Sequence, residues 1–113
     1  MLKVAQKLVR DKIVEKIEQK GGSAKFRVLN DKEYEDELFK KLNEEIAEFK
    51  EDKNIEELGD IYGVFEAIAK LYGYTMEEIQ QQATRKEREN GGFEKKIFLE
   101  TWTPNKFLRW EKR

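Results

Sequence analysis

Two pairs of acidic residues are the part of this sequence best suited to chemistry. Glu45 and Glu48 form one pair, Glu57 and Asp60 form the other, and the members of each pair are three positions apart. Residues at i and i+3 are neighbours on a helix, so each pair can direct two carboxylates the same way. Converging carboxylates repel one another unless a cation neutralises them, and an all-oxygen ligand set suits Mg²⁺, Mn²⁺ or Ca²⁺.

A solvated acidic surface is the plain alternative. The chain has 24 acidic residues, so pairs at this spacing also occur by chance. Glu44, Glu48 and Asp52 can line an exposed helix face. Three lysines are near enough in sequence to pair with that face: Lys40, Lys41 and Lys50. Glu45 instead falls on the apolar stripe of its helix, where a carboxylate is costly unless it is paired or bound to a metal.

Composition restricts the chemistry further. The chain contains no His and no Cys, which excludes Ser-His-Asp and Cys-His catalysis, His-ligated zinc and disulfides. A net charge of −1 argues against attraction to a nucleic acid polymer. No apolar run approaches the roughly 20 residues that a membrane span needs. We therefore expect a cytoplasmic protein without membrane partners, and any metal site must use carboxylates, carbonyls and water.

Periodic apolar residues predict four helices in a single domain of 113 residues. Capping residues and glycines set their expected bounds: a short helix within 1–22, one from 30 or 31 to about 52, one from 54 to near 73, and one from 75 to about 89. The turn between the second and third helices is short, so these two helices should be antiparallel neighbours. That arrangement brings the two acidic pairs toward each other.

The remaining segments complete the expected fold. Residues 25–29 and 97–99 read as brief strands that can pair. The predicted fold class is therefore all-α, an antiparallel arrangement like a four-helix bundle, with a small two-stranded β element. The tail, 101–113, contains Trp102 and Trp110 and is expected to pack on the domain or on a second subunit.

A charged group precedes the first helix. It consists of Lys7, Arg10, Asp11 and Lys12. It can be a solvated helix start, a phosphate-binding patch or an inter-subunit patch, and Arg10 with Asp11 can form a structural ion pair.

Several motifs resemble those of the all-α nucleotide pyrophosphohydrolases. The acidic motif EExxE at 44–48, followed by ExxD at 57–60, is similar to that of this superfamily, which includes the MazG-like proteins and the dimeric dUTPases. The segments KLVRDKI at 7–13 and GGFEKKI at 91–97 resemble a branch described as phosphoribosyl-ATP pyrophosphohydrolase-like. The matched segments span most of the chain.

The resemblance implies a MazG-type fold, a homodimer or homotetramer, and Mg²⁺-dependent hydrolysis, with Mn²⁺ as a substitute. The substrate would be a nucleoside triphosphate or a phosphoribosyl-nucleotide, cleaved between the α- and β-phosphates to release pyrophosphate. Carried over by position, the metal ligands are Glu45, Glu48, Glu57 and Asp60. Glu45 would also orient or deprotonate the attacking water.

Basic residues on either side of the acids would bind the substrate phosphates. They are Lys7, Arg10, Lys12, Lys86 and Arg88. One departure from the family pattern is Asn90, where related sequences often have Arg. Two other hypotheses stay open: a non-catalytic helical interaction module with structural acids, and a scaffold that binds nucleotide or metal with little turnover.

Overall fold

A computed structural model of the protein describes residues 1–104. Four helices account for the regular structure in this part of the chain: α1 Ile13–Gln19, α2 Asp31–Asp52, α3 Ile55–Leu71 and α4 Met76–Asn90. The all-α class is therefore confirmed. None of the helices within 1–104 combines the length and the apolar composition that crossing a membrane requires.

Asparagine side chains fix the starts of α2 and α3. The Oδ1 atom of Asn30 accepts a hydrogen bond from the backbone N–H of Glu33 at 2.9 Å, and Glu33 accepts one in return from the Asn30 N–H, which completes a capping box. Asn54 accepts from the N–H of Glu57 at 3.0 Å. Caps of this kind satisfy N–H groups that lack a partner inside the helix. The cap on α3 therefore also fixes the backbone of one predicted metal ligand, Glu57.

A connection of two residues joins α2 to α3. Lys53 adopts the left-handed conformation, with φ of 53°, and its N–H bonds to the carbonyl of Phe49 at 2.8 Å, which ends α2. Asn54 then begins the cap of α3. Because so short a connection reverses the chain, α2 and α3 form an antiparallel hairpin, and they make the main helix-to-helix packing of the described residues.

The hairpin contains the buried core. In the part of the chain that the structure describes, the buried apolar residues are Leu38 on α2 with Val64 and Ala69 on α3. Leu38 is the most completely covered of them, at 2% exposed. The buried charged residue on the same pair of helices is Glu45. The small core and the acidic residues therefore share one structural element.

The chain divides into two compact units, 1–79 and 80–113, with the boundary inside α4. The first unit contains the hairpin, both acidic pairs and the basic segment before α1. The second unit begins with the greater part of α4. Its described residues contain Lys86 and Arg88.

The predicted β element is wrong for the described residues. Within 1–104, neither 25–29 nor 97–99 forms a strand. Phe26 and Val28 are exposed, so alternation in the sequence did not reflect a covered sheet face. A short strand is stable only when its backbone groups bond to a partner and one face is covered.

A side-chain ion pair takes the place of strand pairing in the first of these segments. The guanidinium of Arg27 contacts both carboxylate oxygens of Glu33, at 3.1 and 2.7 Å. This pair ties the segment to the first turn of α2. The tail prediction falls largely on residues 105–113, which lie outside the described residues.

Candidate metal centre

Three of the four predicted ligands meet between α2 and α3. One carboxylate oxygen from each of Glu45, Glu57 and Asp60 lies within 4.8 Å of the other two. Ligand oxygens lie about 2.1 Å from a bound Mg²⁺, so any two of them are at most about 4.2 Å apart. A small adjustment of the side chains is therefore enough for one cation to contact all three residues.

Glu48 lies at the edge of this cluster. Its carboxyl raises the pKa of Glu57, and its charge raises that of Glu45. Unlike Glu45, Glu48 is exposed. The structure thus brings the two predicted acidic pairs together, with Glu48 the most accessible of the four.

The burial of the Glu45 carboxylate is the strongest observation against a solvated acidic surface. Glu45 is only 8% exposed. Its Oε2 atom is buried without a hydrogen-bond partner in the described part of the chain, and so is the Oε2 atom of Glu57. Unpartnered polar atoms inside a protein are costly and rare. Two of them in one acidic cluster favour a cation site over a solvated surface.

The protonation of these acids reflects their crowding. Burial raises the pKa of Glu45, the charge of Glu48 raises it further, and the ammonium group of Lys41 opposes both effects. Burial also raises the pKa of Glu57 to about 7, and the carboxyl of Glu48 adds to that effect. The cluster therefore holds protons near neutral pH, and a metal would have to displace them.

The free energy of unfolding of the metal-free protein should fall as the pH rises from about 4.5 to about 7. In this window the folded Glu57 keeps a proton, because its pKa is about 7 instead of the ordinary 4.5, while the unfolded chain has released it. The native state then binds more protons than the unfolded state, so stability decreases with pH. Urea unfolding in EDTA at about pH 5 and about pH 7.5 measures this slope.

Glu57→Gln should reduce the slope and leave the part that comes from the raised pKa of Glu45, whereas Glu56→Gln, at an exposed neighbouring position, should preserve it in full. Glu33 and Glu78 have lowered pKa values, so their contribution to stability changes below this pH window. An undiminished slope in Glu57→Gln would contradict the assignment.

Two basic side chains contact the acids, Arg10 from the N-terminal segment and Lys41 from α2 itself. The Nη2 atom of Arg10 lies 3.2 Å from Oδ1 of Asp60, and the Nζ atom of Lys41 lies 3.5 Å from Oε1 of Glu45. The alternative pairing of Arg10 with Asp11 is not the one formed. A cavity of about 290 Å³ adjoins these contacts, and its lining consists of Lys7, Val9, Arg10, Ile13, Lys41, Glu45 and Asp60.

Sequence reasoning missed the roles of Lys41 and Gly63. The sequence pattern places Lys41 on a solvated face, yet its side chain is only 20% exposed. Its position four residues before Glu45 was the available signal. A Cβ atom at Gly63 would lie 2.9 Å from Nη2 of Arg10, so the absence of a side chain there gives the guanidinium its place beside Asp60.

The other predicted substrate-binding residues do not line the cavity beside the acids. Lys12 is exposed just before α1 and does not line the cavity. Lys86 is half-buried and Arg88 is exposed, both on α4 in the second unit. Their contact with substrate stays a prediction.

Comparisons of the chain with protein-family models, with curated proteins and with solved structures find no match. Function is therefore inferred from the motifs and from the geometry of the acidic cluster.

Proposed function

We propose that this protein is a Mg²⁺-dependent nucleotide pyrophosphohydrolase, which cleaves a nucleoside triphosphate between its α- and β-phosphates. The observation that carries the proposal is the buried Glu45, whose unpartnered Oε2 belongs to a cluster with Glu57 and Asp60. A divalent cation would satisfy these oxygens and offset the repulsion between them. The motif resemblance gives that cation a reaction to support.

Each acid would have a definite task. Glu45, Glu57 and Asp60 would hold the metal, with Glu48 at the accessible edge as a fourth ligand. When bound, Mg²⁺ would supply neutralisation of phosphate charge and a more acidic water. Glu45 is also the candidate general base, since its raised pKa lies closer to neutral pH, where a base that accepts a proton from water works best.

A homo-oligomer with a MazG-type bundle is part of the proposal. Large apolar side chains remain exposed on both helices of the hairpin, and they are Phe39, Ile46, Ile55, Leu58, Tyr62 and Phe65. Exposed apolar residues at this density favour a covering surface. A second copy of the chain, as a homodimer or homotetramer, would complete a four-helix packing around the hairpin.

A panel of nucleoside triphosphates tests the activity. The purified protein with Mg²⁺ should release pyrophosphate and the matching monophosphate from at least one of them, as followed by ³¹P NMR. EDTA should stop the reaction and Mn²⁺ should restore it. If no member of the panel, and no phosphoribosyl-nucleotide, yields pyrophosphate, the catalytic proposal fails.

A non-catalytic helical interaction module, or a binding scaffold with little turnover, is the second candidate. The observation in its favour is that Arg10 and Lys41 already contact Asp60 and Glu45, so the cluster has part of its countercharge within the protein. Isothermal titration with Mg²⁺ and Mn²⁺ separates the candidates. Binding of neither ion would favour the interaction module, and binding without turnover would favour the scaffold.

A further inference from the structure

We propose that Lys7, Arg10 and Lys41 form a phosphate site whose affinity is coupled to metal binding at the neighbouring acids, a coupling that rests on the proposed function. In the metal-free protein, two of these cations act as substitutes for the metal. When the metal binds, they become available to the phosphate chain of the substrate. The site would take the terminal phosphates of a nucleotide, or free inorganic phosphate.

The contacts of the two cations are the first support. Arg10 contacts Asp60 at 3.2 Å, and Lys41 contacts Glu45 at 3.5 Å. Both acids belong to the cluster of three that would hold the metal. A dication bound there takes over the negative charge that now attracts the two side chains. Each metal-binding event therefore leaves two cations without their present partners.

Burial makes Lys41 depend on a neighbouring anion. The side chain of Lys41 is 20% exposed and that of Glu45 is 10% exposed, so this pair is largely withdrawn from water. An ammonium group in such a place needs an acceptor beside it, and an anion stabilises it more than a neutral acceptor does. Once the charge of Glu45 is taken by a metal, an anion in the adjacent cavity restores the balance.

Arg10 is held differently but reaches the same place. Its pair with Asp60 is exposed, and pairs of that kind are weak and readily exchanged. The guanidinium lies against Gly63, where no side chain obstructs it. It presents planar N–H donors, which suit the oxygens of a phosphate. The guanidinium of Arg10 can therefore exchange a carboxylate partner for a phosphate while it stays against Gly63 of α3.

The cavity sets the size of the anion. Its volume is about 290 Å³, and its lining combines three cationic side chains, the apolar Val9 and Ile13, and the two acids whose charge the metal would take. Lys7 has no acidic partner among residues 1–104, so its charge is available as it stands. This volume is at the lower limit of typical ligand pockets. It suits one or two phosphate groups, and the nucleoside would extend beyond it.

Thermodynamic linkage makes the coupling measurable from both sides. If bound metal raises the affinity for phosphate by some factor, bound phosphate raises the affinity for metal by the same factor. Titration calorimetry with inorganic phosphate, in EDTA and then at saturating Mg²⁺, should show phosphate binding about tenfold tighter with the metal. Inorganic phosphate is the suitable probe because it associates only weakly with Mg²⁺ in solution.

Variants assign the effect to the named side chains. Lys41→Gln and Arg10→Gln should each lose the metal-dependent gain in phosphate affinity, while binding Mg²⁺ at least as tightly as the unchanged protein. Lys40→Gln, at an exposed neighbouring position, should retain the gain. Arg10 is exposed, so Arg10→Gln keeps the test valid even if circular dichroism shows that Lys41→Gln is misfolded.

The outcomes separate this proposal from the catalytic one. Equal phosphate affinity with and without Mg²⁺, or a full gain in Arg10→Gln, overturns the coupling while leaving the metal site intact. Failure of Mg²⁺ to bind at all overturns both. Coupling observed in a protein that hydrolyses no nucleotide supports the phosphate site and overturns the catalytic proposal alone.

Discussion

Replacing Glu45 with Gln should abolish Mg²⁺-dependent hydrolysis and, in the absence of metal, raise the melting temperature. The two effects have one cause. Glu45 is buried at 8% exposed, burial and neighbouring carboxylates raise its pKa by opposing the ionised form, and Oε2 has no partner among the described residues. An uncharged Gln removes that repulsion, and its carbonyl can still accept a hydrogen bond from Lys41. It also removes a metal ligand and the candidate base.

The expected sizes are large enough to measure directly. Loss of a metal ligand that supports several kcal/mol of transition-state stabilisation lowers kcat/KM by about a thousandfold. Relief of the buried charge should raise the free energy of unfolding by about 1 kcal/mol, an increase of roughly 5 °C in Tm. Pyrophosphate release and thermal unfolding in EDTA, followed by circular dichroism, measure the two effects.

Glu44→Gln is the matched control, since Glu44 is adjacent in sequence but lies outside the cluster of three. It should keep both the activity and the Tm of the unchanged protein. Activity retained in Glu45→Gln would show that Glu45 neither holds the metal nor acts as the base. A lower Tm in EDTA would show that the contact with Lys41 outweighs the repulsion.

Leu38→Ala should lower the free energy of unfolding by about 3 kcal/mol. Leu38 is 2% exposed, and it is one of only three buried apolar residues in the part of the chain that the structure describes. Removal of its branched side chain loses apolar burial and leaves a void between α2 and α3. Small domains are stable by only about 5–15 kcal/mol, so the loss is a large fraction of the total.

Urea unfolding measured by circular dichroism at 222 nm, a wavelength that reports helix, tests this expectation. Leu2→Ala makes the same chemical change at a residue that is 93% exposed, and it should shift the free energy by less than about 0.5 kcal/mol. If Leu38→Ala and Leu2→Ala unfold at the same urea concentration, the hairpin core is not the main source of stability.

Helix bounds were predictable because their causes are local. Asn54 caps α3 through a bond to the third residue beyond it, and Thr75 exchanges hydrogen bonds with Glu78 at the start of α4. Both patterns are visible in a few letters of sequence. The strand prediction at 25–29 failed because a strand depends on a partner elsewhere, and the sequence does not reveal whether that partner is in reach.

The same distinction applies to the acidic cluster. The meeting of Glu45 with Glu57 and Asp60 followed from helical spacing and a short turn, and it is confirmed. The contact between Arg10 and Asp60 joins residues 50 positions apart, and no local pattern encodes it. The burial of Lys41 was likewise hidden, because helical periodicity gives a face but not how much of that face the rest of the chain covers.

The glycines of α3 give the acid-bearing part of that helix a low intrinsic stability. Gly59 and Gly63 both lie within Ile55–Leu71, and each disfavours helix by about 1 kcal/mol relative to Ala. Gly63 leaves room for Arg10, whereas a side chain at Gly59 would meet nothing within 4 Å. The segment that carries Glu57 and Asp60 therefore keeps its helical form through its neighbours more than through its own sequence. An ion that bound these acids would therefore also stabilise the helical form of the segment that carries them.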